Sequence, residues 1–313
     1  MLAPTVTKGN PGFGDVASFG GGSVAENAYY INGLNITDPD TYVGGGDVPF
    51  DFYKTIEVKT AGYAAEYGRA TGGVVNATTK SGSNQFTFGV HANYQPADLR
   101  NEQADYYNVD GKFSKVKNNT LSVEAGGPII KDHLFAYGLY QFSDAESDVA
   151  APLSGTYTTT KDTDPFYGIK LDGYITPTQH LELTYFDTQR TDKIDKFDYD
   201  GTIGDAIVGS HIDHEIGGKS WVAKYTGNVT DWFTISAAYG DMQNQDNTLP
   251  ENTTGYYVAD YSTGTAIRVS PQTSSTIETN AKERKFYRID GDLRFDGLGR
   301  HHVRFGIDNE QNS

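Results

Sequence analysis

The chain has no cysteine, two methionines and no apolar run long enough for a membrane helix. The first absence removes disulfides, thiolate metal sites and a cysteine nucleophile. The last excludes a spanning helix, which needs about 20 mostly apolar residues. It does not exclude membrane strands, since about 9–11 alternating residues suffice and a hydropathy average hides them. The opening MLAPTVTKGN has neither a basic segment nor an apolar core, so no secretory leader is read here. An exported protein is therefore expected to extend upstream. Positive charge is also scarce, with 25 Lys and Arg against 41 Asp and Glu and a net charge of −16. That argues against a nucleic-acid partner, because phosphates call for clustered Lys and Arg.

Glycine and aromatics are plentiful: 36 Gly, 22 Tyr and 16 Phe in 313 residues, although only 37% are hydrophobic. This mixture suits many strands, tight turns and amphipathic rings, not an α/β enzyme rich in Leu, Ile and Val. No glycine-rich phosphate loop follows a parallel strand, and no Ser/His/Asp order has a supporting context. The chain is read as a non-enzyme.

Two regions differ in period. Residues 1–80 are glycine-rich and mixed, with short strands expected at Ala28–Ile31, Ile56–Lys59 and Val74–Thr79 and turns at Asn32-Gly33 and Asp38-Pro39. From 81 to 313 the period is 2. Nine strands are expected, beginning with Phe86, Phe88, Val90 and Ala92 on one face. Phe135, Tyr137 and Leu139 share a face in the third, and Leu181, Leu183 and Tyr185 in the fifth. In the eighth, Tyr287, Ile289, Leu293 and Phe295 alternate with Arg288, Asp290, Asp292 and Arg294.

Short turns such as 176–178, 230–231 and 296–299 alternate with long polar links at about 96–118, 145–164, 190–215 and 244–280. That sorting predicts an antiparallel up-and-down transmembrane β-barrel with turns at one end and loops at the other. A soluble sandwich has no reason to sort its loops by end.

Residues 20–89 resemble the latter part of the plug of TonB-dependent outer-membrane receptors, with the first barrel strand attached. The resemblance rests on Tyr30-Ile31-Asn32-Gly33, Ile56-Glu57-Val58, Ala65-Glu66-Tyr67-Gly68-Arg69, Gly72-Gly73-Val74-Val75-Asn76 and Thr79-Lys80-Ser81-Gly82. The form AEYGRATGGVVN…TKSGSN, and Gly126-Gly127-Pro128 leading to Leu134-Phe135, resemble the Oar-like subgroup. Asn32 stands where that pattern usually has Asp, and Gly21-Gly22-Ser23 where it has an Arg-Gly pair.

The resemblance implies a mainly β fold: a partial α+β plug over 1–80, followed by barrel strands over 81–313. Its complete members close about 22 strands, so the chain is expected to be an internal piece. It further implies energised uptake of an unidentified extracellular ligand, with outer-membrane lipid and, through an upstream segment, the TonB complex as partners. An outer-membrane adhesin or structural barrel without transport is the alternative. The residues implied for gating and plug structure are Asn32, Gly33, Glu57, Glu66, Tyr67, Gly68, Arg69, Gly72, Gly73 and Asn76. Glu57, Glu66 and Arg69 are candidates for charged contacts with the barrel wall.

No cofactor is expected. Asp192, Asp195, Asp198, Asp200 and Asp205 suggest a loose Ca²⁺ site in an outer loop, although Lys196 and Ile207 break the EF-hand pattern. His211 with His214, and His301 with His302, have metal-like content but unsuitable spacing. Tyr94, Tyr106, Tyr107, Tyr174, Trp232 and Phe233 lie near strand ends, where an interfacial aromatic girdle is expected.

Overall fold

The computed structural model describes residues 6–9, 16–63, 67–68, 70–102, 104–105, 107–206, 211–252, 256–262, 267–268 and 276–313. The N-terminal part begins with the paired strands β1 (Val6–Lys8) and β2 (Ala17–Phe19). A second sheet comprises β3 (Ala28–Ile31), β4 (Leu34–Asn35), β5 (Tyr53–Lys59) and β6 (Val74–Thr79), in the order β4-β3-β6-β5. β3 runs parallel to β6, and the other two pairs are antiparallel. Asn32 and Gly33 join β3 to β4 with φ of 50° and 92°. Two successive positive φ values are what a two-residue hairpin requires, and Asn-Gly meets that need at least cost. Single 3-10 turns lie at Val24–Glu26 and Phe50–Phe52 of this part.

The remainder is a wall. Its strands are β7 (Thr87–Asn93), β8 (Val116–Ile130), β9 (Leu134–Ala151), β10 (Thr156–Asp162), β11 (Phe166–Thr176), β12 (Gln179–Asp187), β13 (Arg190–Tyr199), β14 (Ile203–Ala206), β15 (Ile212–Gly217), β16 (Lys219–Thr230) and β17 (Phe233–Pro250). After the small pair β18 (Ala259–Asp260) and β19 (Ile267–Arg268) come β20 (Glu278–Asp296) and β21 (Arg300–Asn312). The path β7-β8-β9-β11-β12-β16-β17-β20-β21 is antiparallel throughout and pairs each strand with its neighbour. These are the nine expected strands. Within the sheet, β7 pairs with β8 and β21 with β20, leaving both as edges.

Two expected loops are instead strands. The stretch 145–164 holds the far end of β9 and β10, and 190–215 holds β13, β14 and most of β15. β9, β10, β13, β15 and β17 pair in series. This second tier sits directly on the first: β12 and β13 are separated by residues 188–189, and β15 and β16 by Gly218. The wall is therefore taller at the long-loop end than alternation predicts.

Outward residues make an apolar belt. One row runs Leu171, Leu183, Ala223, Tyr239 and Tyr287 across neighbouring strands. Ile169, Leu181, Leu183, Tyr239, Tyr287, Ile289, Phe305 and Ile307 are all exposed. So large an exposed apolar surface is intelligible on a sheet that faces lipid. The main core lies on the opposite face, where Ile31, Leu34, Ile36, Phe52 and Ala77 of the N-terminal part meet Tyr137, Leu139, Phe166, Phe186, Val222, Met242 and Phe286 of the wall.

One apolar face points the other way from its neighbours. Phe135, Tyr137 and Leu139 do share a face of β9, but all three are buried against the interior. Leu139 stands opposite Glu124, and the outward positions are Tyr140 and Phe142.

Candidate functional site: the seat between the N-terminal sheet and the wall

Where the N-terminal sheet meets the wall, apolar and polar contacts alternate. Phe52 is fully buried and contacts Tyr137, Phe166 and Phe186, with ring centroids 6.1, 5.6 and 6.3 Å away. Its ring rests on Gly168 of β11, where a Cβ would come within 2.6 Å of it. Glycine is needed here for space, because backbone and ring approach too closely for any side chain.

Arg284 of β20 is 1% exposed and donates through Nη1 to the carbonyl oxygens of Asn35 (3.1 Å) and Thr37 (2.5 Å). Its Nε donates to Asn312 Oδ1 at 3.1 Å, and Glu310 lies 3.9 Å away. A buried guanidinium is tolerable only when its donors and charge are matched in this way.

At the end of β6, Lys80 Nζ lies 2.7 Å from Glu124 Oε2 on β8, which also accepts from the Tyr137 hydroxyl. The same hydroxyl is 3.2 Å from the Asp51 carbonyl. Nearer the tall end, Asp38 accepts from Asn244 at 2.9 Å and pairs with Lys282 at 3.5 Å. Burial raises the Asp38 carboxyl, but the amides of Thr41 and Asp40, the Thr41 hydroxyl and Lys282 outweigh it and hold the group below its ordinary value. Asp47 meets Arg190 of β13 at 2.6 Å.

Among the residues singled out by sequence, Asn32 touches the wall. Its amide donates to Thr184 Oγ1 of β12 (2.8 Å) and to Thr79 Oγ1 (2.7 Å), while its oxygen accepts from the Thr79 amide. Asn in place of Asp thus gives the turn a donor. Asn76 and Tyr67 line the neighbouring cavity of about 380 Å³ with Asn32, Lys170, Glu182 and Arg288.

The other singled-out residues act within the N-terminal sheet. Tyr67 is buried against Tyr30 and Tyr63, with centroids 5.4 and 6.3 Å away, and Lys59 Nζ sits 5.0 Å over its ring. Burial, reinforced by Glu310, pushes the Tyr30 phenol up to about 12. Gly72 leaves room for Asn27 Oδ1, which accepts from the Gly73 amide at 2.9 Å, and Gly73 lies under the Phe19 ring. Gly68 is exposed in the turn after Tyr67. Glu57 is exposed, and its ion pair, 3.4 Å to Lys59, is within its own strand. Glu66 and Arg69 lie outside the described residues, as does Tyr106.

Among the described side chains the acidic run does not converge, and the Asp205 side chain lies outside them. Asp192 neighbours Arg190 and His214, Asp195 pairs with His211 at 2.6 Å, and Asp200 binds its own turn through Thr202. His214 is 3.0 Å from Asp246. His302 reaches Asp292 at 2.8 Å while His301 stacks on Phe295, on opposite faces of their strand. Tyr174 is not in a girdle but stacks inward on His180, centroids 4.3 Å apart. Tyr94, Tyr107 and Trp232 are exposed.

Sequence reasoning missed Phe52, Arg284 and Lys80 as contacts. Phe52 carries one visible mark, a large aromatic in the polar approach to a strand. Arg284 carries none beyond its parity with Arg288.

Known outer-membrane transporters share this fold. Solved structures with this fold include the transporter YddB from Escherichia coli (TM-score 0.64, 13% identity, 96% of this chain and 48% of that one). The siderophore receptor PirA from Acinetobacter baumannii matches with a TM-score of 0.60 and 19% identity, over 95% of this chain and 41% of its own. By sequence, 140 residues are 34% identical to the TonB-dependent transporter Oar of Myxococcus xanthus, 44% of this chain and 13% of that protein. The chain is thus similar in sequence, over these 140 residues, to a TonB-dependent transporter and in fold to outer-membrane transporters. It spans less than half the length of each of these solved structures, and its match covers about an eighth of the curated relative. No protein-family profile matches it. The large antiparallel sheet and its apolar belt are like the barrels of such receptors, which lie in the outer membrane.

Proposed function

We propose that this chain is the plug-closing and barrel-opening part of a TonB-dependent transporter, which takes up an extracellular ligand through the barrel with energy delivered by TonB. The observation that carries this reading is the make-up of the seat. A small apolar core, in which Phe52 with Ile31, Leu34, Ile36 and Ala77 meets the wall, is accompanied by polar contacts from Asn32, Asp38, Asp47 and Lys80 to the wall. Polar contacts can exchange partners with water as the plug shifts, so each costs little net free energy to break. Glycine positions in the plug let its backbone rearrange without Cβ clashes. Asp38 and Asp47 sit at the tall end of the wall, where a ligand arriving from outside would meet the plug first.

The test uses the full-length receptor carrying Asn32→Cys in growing cells. Labelling of this interface thiol by a small maleimide should rise in cells with working TonB and fall to background when TonB is deleted. Equal labelling in both strains would overturn the reading and favour an adhesin or structural barrel.

A further inference from the structure

Below the seat, near the short turn that joins β11 to β12, the inner wall carries a group of side chains that plug seating does not use. Asp172 on β11 and His180 and Glu182 on β12 each present one donor atom, all within 4.8 Å of one another. Cross-strand pairing brings them together: Asp172 stands opposite Glu182, and Tyr174 opposite His180. His180 Nε2 is 3.1 Å from Asp172 Oδ1, and the imidazole is held by its parallel stack on Tyr174. Among the described residues this is the group with metal-ligating content and spacing.

A second observation is independent of the clustering. The Asp172 side chain is 5% exposed, yet its Oδ2 has no hydrogen-bond partner. A buried carboxylate oxygen left unmatched destabilises the fold, and a cation at this point removes that cost. The position already attracts cations, since Lys170 Nζ lies 2.9 Å from Glu182 and 3.6 Å from Asp172. Lys224 is 3.6 Å from the other Glu182 oxygen. The cavity of about 380 Å³ that borders Lys170, Glu182 and Lys224 gives a small ion access and gives the Lys170 ammonium room to withdraw.

We propose that Asp172, His180 and Glu182 form a binding site for a divalent transition metal on the inner wall, with the Lys170 ammonium as the competing occupant. One imidazole with two carboxylates suits Zn²⁺, Co²⁺ or Ni²⁺ better than Ca²⁺ or Mg²⁺, which favour all-oxygen sets. Donors around a tetrahedral Zn²⁺ at about 2.0–2.1 Å from the metal are ~3.3 Å apart, so closure requires side-chain shifts of about an ångström. Two protein charges balance the metal, and the cavity supplies water for a remaining position.

The experiment uses the full-length receptor in detergent with Co²⁺ as probe, read by its visible d–d absorption and by competition with Zn²⁺. Stoichiometric binding is expected, lost at least about tenfold in His180→Gln and in Asp172→Asn. Lys170→Met is expected to tighten binding at least about tenfold, because it removes a like charge a few ångströms from the metal. Heat-modifiable gel migration reports whether each variant has kept its barrel. Absence of Co²⁺ binding to the wild type and to Lys170→Met would overturn the proposal, as would binding that His180→Gln leaves unchanged.

Discussion

The inner faces of β9 and β20 are built from largely different materials, although both look into the same lumen and both add to the apolar core. β9 presents Phe135, Tyr137 and Leu139, all buried. β20 presents Arg284, Arg288, Asp290, Asp292 and Arg294 with one buried aromatic, Phe286, among them, and the four charged residues from Arg288 to Arg294 border a cavity. The difference follows the plug. Where its apolar residues reach the wall, Phe52 foremost, the wall answers with aromatic and aliphatic side chains, and where a gap remains the wall carries charges that water can solvate. Strand periodicity says which residues share a face, but what lies opposite decides what that face is made of.

Phe52→Ala tests the apolar side most severely. Truncating a fully buried Phe in a packed core costs about 3–5 kcal/mol, so the plug should yield at lower urea. Single-channel conductance of the full-length receptor in planar bilayers would report that opening. An unchanged urea midpoint would mean that the β9 side does not hold the plug.

Arg284→Met tests the charged side. It leaves the carbonyls of Asn35 and Thr37 without their shared donor. Breaking a buried, charge-matched contact costs about 3–5 kcal/mol, reduced here because Met fills much of the vacated volume. The same conductance assay should show a shift smaller than that of Phe52→Ala. A larger shift would reverse the comparison and make the charged side the main anchor.

Asn32→Asp is expected to be milder. A carboxylate accepts but does not donate, so the bonds to Thr184 and Thr79 Oγ1 would depend on their hydroxyls turning round, while the Thr79 amide keeps its acceptor. A net loss of about 0.5–1.5 kcal/mol follows from one hydrogen bond forgone. A double-mutant cycle with Thr184→Val isolates the contact, and a coupling near zero would place Asn32 outside the seat.

Much of this architecture is legible in the residues. Outward rows such as Leu171, Leu183 and Ala223 keep their period because lipid demands an apolar residue at every second position. The Asn32-Gly33 turn is legible because two positive φ values in succession strongly favour such residues. What hides β10, β13 and β15 is the end of that demand. Beyond the belt both faces of TYTTTKD, RTDKIDKFDY and IDHEIG can be wet, so the hydrogen-bonded ladder continues while the alternation fades. The orientation of Phe135 and Tyr137 is hidden differently, since an apolar face turned to lipid and one turned to a plug have the same spelling. Contacts such as Asn32 to Thr184 span 152 residues, and no local pattern encodes them.

The second tier offers the smallest and most local test, because its charges titrate in contact with water. His211 at the start of β15 is joined to Asp195 on β13, and that hydrogen bond, with Asp213 and Glu251 adding to it, outweighs desolvation and raises the imidazole above its ordinary value. A histidine whose folded value is raised stabilises the fold fully below its unfolded value of about 6.5, and the contribution fades as pH climbs through the folded value. The β13–β15 pairing should therefore be tighter at pH 6 than at pH 8. Solvent screens so open a pair, so the effect belongs in local exchange and not in global unfolding. Hydrogen exchange at 190–199 and 212–217 should slow as pH falls, after correction for the intrinsic rate, and Asp195→Asn should abolish most of that dependence. If Asp195→Asn left the pH dependence intact, the pair would not be what joins these strands, and the tier would rest on its backbone ladder instead.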